Sequence, residues 1–541
     1  MLTCFIVSTI TQAQFVDKIK QSGIDFMHVN GMSGKFLMPE IIGSGVAVFD
    51  YDNDGDMDIY FVQSGQLTGN KNKTFSDRLY RNDTKKPNHP VFVDVTKEAK
   101  IQSAGYGMGV VTGDLNNDGY VDLFIVNYGP NEILMNNGDG TFTSKSQSIK
   151  KDSSWSVSAS IADLNKDGLL DVYVANYVNY PIGEFVKRCK AYDGSPDYCS
   201  PQGYQGQSDD LYVNKGEFNF QNIQYKAGLK KYESPGLGVV SEDFNNDGRV
   251  DFYVANDGVE NHFWVNKGSD EFVELGMESG IAVNMNGEPE ASMGVDAADY
   301  DNDGDIDLFM THLNRQTNTL YVNNGKGWFT DLSVMMKLGS SSYTSTGFGT
   351  LWFDYNNDGL LDLFSANGAV AKIKAQIRKG EVFPFKQPNQ IWENIGKGKY
   401  KEVSKSQGAG FLRQSVSRGA AFGDLDNDGD LDIVVSNNND IPHFYINESS
   451  NSNNWVGFKL VNSNLNRVDL GAVVTLWQGK KKYIRKVKTD GGYASSHDDR
   501  LIFGLGDSQL KVNISITWSD GTTTKLERVT INEYHTIESK K

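Results

Sequence analysis

The stretch DYDNDGDMD, residues 50–58, crowds five aspartates into nine positions directly ahead of the apolar run IYFV. Carboxylates this close repel one another, so the chain must use the crowding for something. The pattern D-x-[DN]-x-D-G-x-x-D recurs at Asp50, Asp114, Asp163, Asp243, Asp299, Asp354 and Asp424, at intervals of 49 to 80 residues. Self-similarity of that period is the signature of a repeat architecture. The flanks repeat as well. Small and apolar residues precede the loops (GSGVAVF, GMGVVTG, GLGVVSE, SMGVDAA, GFGTLWF), and β-rich runs follow them (IYFV, LFIV, VYVA, FYVA, LFMT, LFSA, IVVS). A third run then ends in Asn, as in LYRN, LYVN, FWVN and FYIN, and several copies continue into a Gly-rich turn and an aromatic residue. Each unit reads as four strands with the Asp loop between the first two. Units of this kind packed radially predict an all-β chain, a seven-bladed β-propeller followed by a small C-terminal β-sandwich. The first blade is expected to begin with Val46–Phe49 and to end near Phe92–Val95. No fourth strand follows FYIN at 444–447, whereas Phe15-Val16-Asp17 is an unused strand of that type. It is expected to complete the last blade and so protect the edges where the ring closes.

Oxygen donors alternate through each loop. Position 1 holds Asp50, Asp114, Asp163, Asp243, Asp299, Asp354 and Asp424. Position 3 holds Asp52, Asn116, Asn165, Asn245, Asp301, Asn356 and Asp426. Position 5 holds Asp54, Asp118, Asp167, Asp247, Asp303, Asp358 and Asp428, and position 9 holds Asp58, Asp122, Asp171, Asp251, Asp307, Asp362 and Asp432. Glycine at position 6 permits the sharp turn, and position 7 can add a backbone carbonyl. About six oxygens with no sulfur or nitrogen suit a hard cation, above all Ca²⁺. About seven structural ions per chain are expected, one for each loop. The loops with Asp52, Asp301 and Asp426 carry four carboxylates and are expected to bind more tightly. The apolar residues Phe61 and Ile125 stand at position 12 of the first two copies, where an EF-hand would need Glu. Asp/Asn/Gly turns without metal account for one loop, but not for carboxylates at positions 1, 5 and 9 of all seven. Closed oxygen cages also lack the open position that metal catalysis needs.

The formal charge is −17 and the pI about 4.9. There is no basic excess to release counterions, which argues against a nucleic-acid partner. Leu2–Ile10 is apolar and is followed by TQAQ, so residues 1–14 read as a secretory signal segment. No other run approaches a membrane span of about 18 apolar residues. Cys189 and Cys199 are an even pair in a Gly/Pro/Tyr-rich insertion, and in an exported protein they are expected to form a disulfide.

These loops and their flanks resemble FG-GAP/VCBS repeats, as in the integrin α-subunit propeller. The tail carries a further resemblance. LGAVVTLWQGKKKYIRKVKTDGGYASSHDDRLIFGLG at 470–506, ITWSDGTTTKL from Ile516, and Asn466-Arg467 are similar to the ASPIC/UnbV segment of the cartilage acidic protein family and its bacterial relatives. The resemblance implies a secreted, Ca²⁺-binding matrix or surface protein. Residues 15–447 are then the propeller, 448–455 a linker, and 456–541 an ASPIC/UnbV-like β domain of about six strands. Lys480–Lys482, Arg485, Lys486 and Lys488 form its basic cluster and read as a solvated sheet face.

No HExxH, G-x-S-x-G, Walker loop or dinucleotide fingerprint occurs. His28 and His312 fall near strand ends and read as structural, and Glu288 and Glu290 as a solvated pair. The expectation is a monomeric, non-catalytic protein that binds an extracellular protein or glycan. The alternative is a Ca²⁺-assisted extracellular enzyme of the polysaccharide-lyase kind. Asn72, Asn82, Asn447 and Asn513 are glycosylation sequons.

Overall fold

The computed structural model describes residues 14–67, 75–103, 105–149, 154–182, 186–449 and 452–540. All of the expected signal segment except Gln14 lies outside them, as does the Asn72 sequon. Among the described residues, helix is confined to pieces of three to five residues, and the rest is strand and turn.

Seven four-stranded antiparallel sheets follow one another along the chain. The first runs Val46–Phe49, Asp58–Phe61, Arg78–Asn82 and Phe92–Asp94. In the seventh the outermost place is taken by Phe15–Asp17, which pairs antiparallel with His443–Asn447, Phe15 opposite Asn447. The innermost strands touch in cyclic order, and Val46–Phe49 meets Ser417–Gly423 to close the circle. This is a β-propeller arrangement. Separate clusters of buried side chains fill the seams between adjacent sheets. Val48, Ile59 and Tyr80 pack with Val434 and Phe444, and Val240 and Tyr253 pack with Leu308 and Tyr321.

In five of the seven sheets, the repeated Asn of the third strand ties neighbouring sheets together. The Asn136 side chain is fully buried and donates to the carbonyls of Val121, in its own sheet, and Tyr51, in the preceding sheet's loop. Its oxygen accepts from the Gly138 N–H. Asn214, Asn323 and Asn447 donate in the same way to Leu115, Phe244 and Tyr355. Asn82 donates to Leu425 across the closure. Asn82 and Asn447 are each 1 % exposed, so two of the sequons are structural asparagines, whereas Asn513 is exposed.

Each Asp loop joins the first and second strands and therefore lies on one face of the ring. Connections from second to third strands lie on the other. The longest of the latter are 177–209, described except for 183–185, and 368–389; the first includes the Cys189–Cys199 disulfide.

The C-terminal part contains eight strands in two four-stranded sheets, more than the six or so expected. One sheet holds Asn454–Asn462, Arg467–Val468, Leu501–Gly506 and Tyr534–Glu538. The other holds Val473–Gln478, Lys481–Lys486, Val512–Thr517 and Thr523–Val529. Thr523–Val529 is an edge strand whose side chains are mostly exposed, so it has no apolar alternation to read. The first of these strands starts at Asn454, inside the expected linker.

Thr489–Asp498 leaves this second unit and enters the axis of the ring. Ser496 exchanges backbone hydrogen bonds with Val46 and Val48, and its hydroxyl meets that of Thr112 at 2.8 Å. Ala494 accepts from Val110 and donates to the Ser158 hydroxyl, while Gly492 and Val295 bond each other reciprocally. The Tyr493 hydroxyl donates to the Ile42 carbonyl, next to the helix Pro39–Ile42. A Cβ at Gly45 would lie 2.0 Å from the Ala494 carbonyl oxygen, so the close approach requires glycine there.

Replacing Asn136 by Ala leaves the Tyr51 carbonyl without its donor in a closed seam. Asn136→Ala is expected to lower stability by about 2 kcal/mol, read as a lower denaturant midpoint with an unchanged slope.

Candidate metal centres

The loop backbone is wound so that its carboxylates face inward. Position 4 adopts the left-handed conformation in all seven loops (φ 56–62° from Asn53 to Asn427), and the glycine at position 6 has φ between 83° and 107°. In the first loop, Asp50 accepts from the N–H groups of Asp54 and Gly55 at 3.1 Å each, and Asp54 accepts from Asp56 at 2.9 Å. The position-9 carboxylate is the anchor. One oxygen of Asp58 accepts from the Tyr51 N–H at 2.9 Å and the other from the Asn82 N–H at 2.8 Å. A bond of 2.7–2.8 Å from the third-strand Asn N–H to this aspartate recurs in every sheet.

In three loops these constraints bring three carboxylates within 4.8 Å of one another: Asp50, Asp52 and Asp58; Asp299, Asp301 and Asp303; and Asp424, Asp426 and Asp432. They are the three loops with Asp at position 3. Position 5 joins the group in the fifth loop, but Asp54 and Asp428 stand outside it in the first and seventh. In the other four loops position 3 is Asn, and its side-chain oxygen accepts from the position-5 N–H, as between Asn165 and Asp167 at 2.9 Å.

Burial makes these charges expensive. Burial first, then Asp426, Asp424 and Asp430, pushes Asp428 up to about 8. Asp251 rises to about 8 and Asp307 to about 9, again chiefly through burial. Five carboxylate oxygens at ligand positions are buried with no hydrogen-bond donor: Asp52 Oδ1, Asp251 Oδ2, Asp299 Oδ1, Asp307 Oδ2 and Asp426 Oδ1. Buried anionic oxygens without donors fit a cation, and an all-oxygen donor set fits a hard one.

Position 4 was not singled out in the sequence, and it links the loops around the ring. Asn53 donates to the Gly119 carbonyl and Asn117 to the Gly168 carbonyl. Where the next loop has Asp at position 7, the amide also reaches that carboxylate: Asn427 donates to Asp56, and Asn357 to both the Gly429 carbonyl and Asp430. The Asp56 side chain is thus an inter-loop acceptor. The signal was visible as a near-constant Asn at position 4 of the pattern.

The basic residues of the C-terminal part lie against this acidic face. Lys459 donates to Asp50 at 3.2 Å. Lys486 pairs with Glu242 and Lys488 with Asp296, each at 2.5 Å. Arg485 donates to Asn302 and its charge is balanced by Asp354 and Asp299. Arg500 donates to the Asp424 carbonyl, to Asn427 and to Asp498, and Tyr534 donates to the Asp424 carboxylate at 2.7 Å. The basic cluster is therefore not a solvated sheet face: only Lys480–Lys482 are exposed, and the rest balance buried acids.

The histidines are structural. His28 is buried between Ser64 and the Asn439 N–H and is held neutral, pushed down to about 3 by burial and by Arg418. His312 contacts Ser292 at 3.2 Å and stands 3.7 Å from Glu290, which burial raises to about 7, while Glu288 is exposed.

The FG-GAP-like repeat profile matches residues 50–125, 114–174, 243–310, 299–365 and 382–435, more than half of the chain. The chain belongs to the FG-GAP repeat family. The ASPIC and UnbV profile matches residues 462–541, the unit that packs on the Asp loops. Cartilage acidic protein 1 of Xenopus tropicalis is 26 % identical over 57 % of this chain and 45 % of its own length, so the match spans less than half of that relative. Cartilage acidic protein 1 of Mus musculus is 24 % identical over 89 % of this chain and 71 % of its own length. Among solved structures, an Aleuria aurantia lectin with a six-bladed β-propeller is 12 % identical, with a TM-score of 0.35 over 66 % of this chain and 94 % of its own. No helix among the described residues is long and apolar enough to cross a membrane.

Arg500→Ala would leave Asp498 buried without its partner. The substitution is expected to cost about 3 kcal/mol, and hydrogen exchange should quicken in 489–498, where a merely local loss at the surface would leave protection unchanged.

Proposed function

We propose that this is a secreted or surface protein whose seven sheets are the blades of one seven-bladed propeller. Each Asp loop holds a structural Ca²⁺, and the ASPIC/UnbV unit is a β-sandwich seated on the loop face. The protein acts by binding an extracellular protein or glycan rather than by catalysis. The observation that carries the cation reading is the set of buried, donorless carboxylate oxygens in loops whose other oxygens are committed to backbone N–H groups. An ion at each loop would neutralise charge that burial and mutual repulsion otherwise make costly. The disulfide Cys189–Cys199 suits an oxidising compartment.

The binding reading is supported by the architecture around the ring axis, where a substrate channel would have to run. Thr489–Asp498 fills it from the loop side, and Pro39–Ile42 stands at the other end of Tyr493. The ions, enclosed by loop oxygens and by the cationic tail, serve as clamps between the first two strands of each blade.

Metal analysis of protein purified in calcium is expected to give about seven Ca²⁺ per chain, and chelation should lower the melting temperature; zero or one ion would refute the reading. A pH series tests the same point. The raised carboxylates mean that the cation-free folded state binds more protons than the unfolded chain. Its stability should therefore be greatest near pH 4 and fall as pH rises towards 8, through the range set by Asp428 and Asp251 at about 8. Calcium should abolish that decline, and a cation-free protein that gains stability across this range would contradict the assignment.

A further inference from the structure

We propose that the face opposite the Asp loops binds an anionic polysaccharide, on a surface built by the disulfide-closed insertion and the segment Lys372–Lys379. The inference rests on the non-catalytic binding reading and names its ligand class and place. The loop face is covered by the C-terminal unit, so the opposite face is the open end of the ring. There the two long connections meet. The Lys372 N–H donates to Asp197 at 3.0 Å, and its ammonium reaches the Ser195 hydroxyl at 3.2 Å and lies 4.8 Å over the Phe36 ring. Arg188 donates to the Lys35 carbonyl, bringing a third segment into the same surface.

The charge of this surface is opposite to that of the chain. Lys35, Arg188, Lys190, Lys374, Arg378 and Lys379 are all exposed, and none has a carboxylate within 4.0 Å among the described residues. The nearby acids are fewer. Asp197 and Glu40 are buried and hold backbone N–H groups, leaving Asp193 and Glu381 exposed. In the C-terminal cluster, by contrast, Arg485, Lys486 and Lys488 are spent on buried acids and only Lys480–Lys482 are exposed. Six exposed cations against two exposed acids make this surface locally cationic on a chain of charge −17, which is complementary to a polyanion.

The side chains between the cations favour a sugar over other polyanions. Tyr192 is 51 % exposed, with the Lys374 ammonium 4.8 Å from its ring centroid. A ring beside an ammonium matches a pyranose whose C–H face stacks while its carboxylate or sulfate pairs. A phosphate at every residue, as in nucleic acid, would meet the strongest repulsion from the acidic remainder.

The test uses the full chain in calcium, with chondroitin sulfate as probe, dextran as neutral control and poly-glutamate as protein-like polyanion, followed by calorimetry and by sizing of the recovered polymer. Chondroitin sulfate is expected to bind and dextran not. The double substitution Lys374→Glu, Arg378→Glu should weaken binding about tenfold, and Tyr192→Ala should weaken it too, whereas Lys480→Glu, Lys525→Glu on the tail should not. Equal affinity in the Lys374/Arg378 variant overturns the assignment, as does binding of poly-glutamate in place of the glycan. Intact but unbound polymer overturns it and leaves the general binding reading standing. Shortened polymer overturns the non-catalytic reading itself.

Discussion

A carboxylate buried at the first residue of each second strand is the interaction on which the ring depends. In the first sheet Asp58 accepts from the backbone of the loop at Tyr51 and from the third strand at Asn82. The Asn82 side chain then crosses to Leu425 of the neighbouring loop. One anion thus fixes the loop, the strand pair and the seam between sheets. The constraint has an electrostatic cost, because the same winding packs further carboxylates beside a buried one.

Two sources of positive charge can offset that cost, and the fold supplies one of them itself. The C-terminal unit lays Lys459, Arg485, Lys486, Lys488 and Arg500 on the loop face, each against a specific acid, a loop amide side chain or a loop carbonyl. These cations reach the loop face, while donorless oxygens remain inside the first, fourth, fifth and seventh loops. Side chains hold the C-terminal unit to the ring, and the remaining donorless oxygens would accept a cation. Thr489–Asp498 joins these roles, because the segment that fills the axis is flanked by the residues that pair with the loops.

Much of the ring was legible in the sequence, since loop chemistry and strand period repeat. The oxygen-bearing positions 1, 3, 5 and 9 follow from the pattern alone. The position-4 asparagines did not declare themselves, because their partners belong to the next repeat and no single copy contains both ends of the bond. The basic cluster was misread for a related reason. A Lys/Arg-rich strand looks the same whether it faces water or buried acids some 190 residues away, as for Lys488 and Asp296. Asn82 and Asn447 satisfy a glycosylation sequon locally, yet their burial is set by contacts with other sheets. In the C-terminal unit, edge strands without apolar alternation carried no periodic signal.

The sequence by itself determined the local chemistry: which residues curl into an oxygen-lined loop, which runs become strands, and that the acidity is concentrated in repeats. Those properties depend on spacings of a few residues, where backbone geometry is decisive. Tertiary structure alone decided that the acidic face is covered, that the axis is filled by Thr489–Asp498, and that exposed cations of distant segments meet at the opposite end. These outcomes arise from pairings between segments far apart in the chain, and electrostatics and burial act through space without regard to sequence separation.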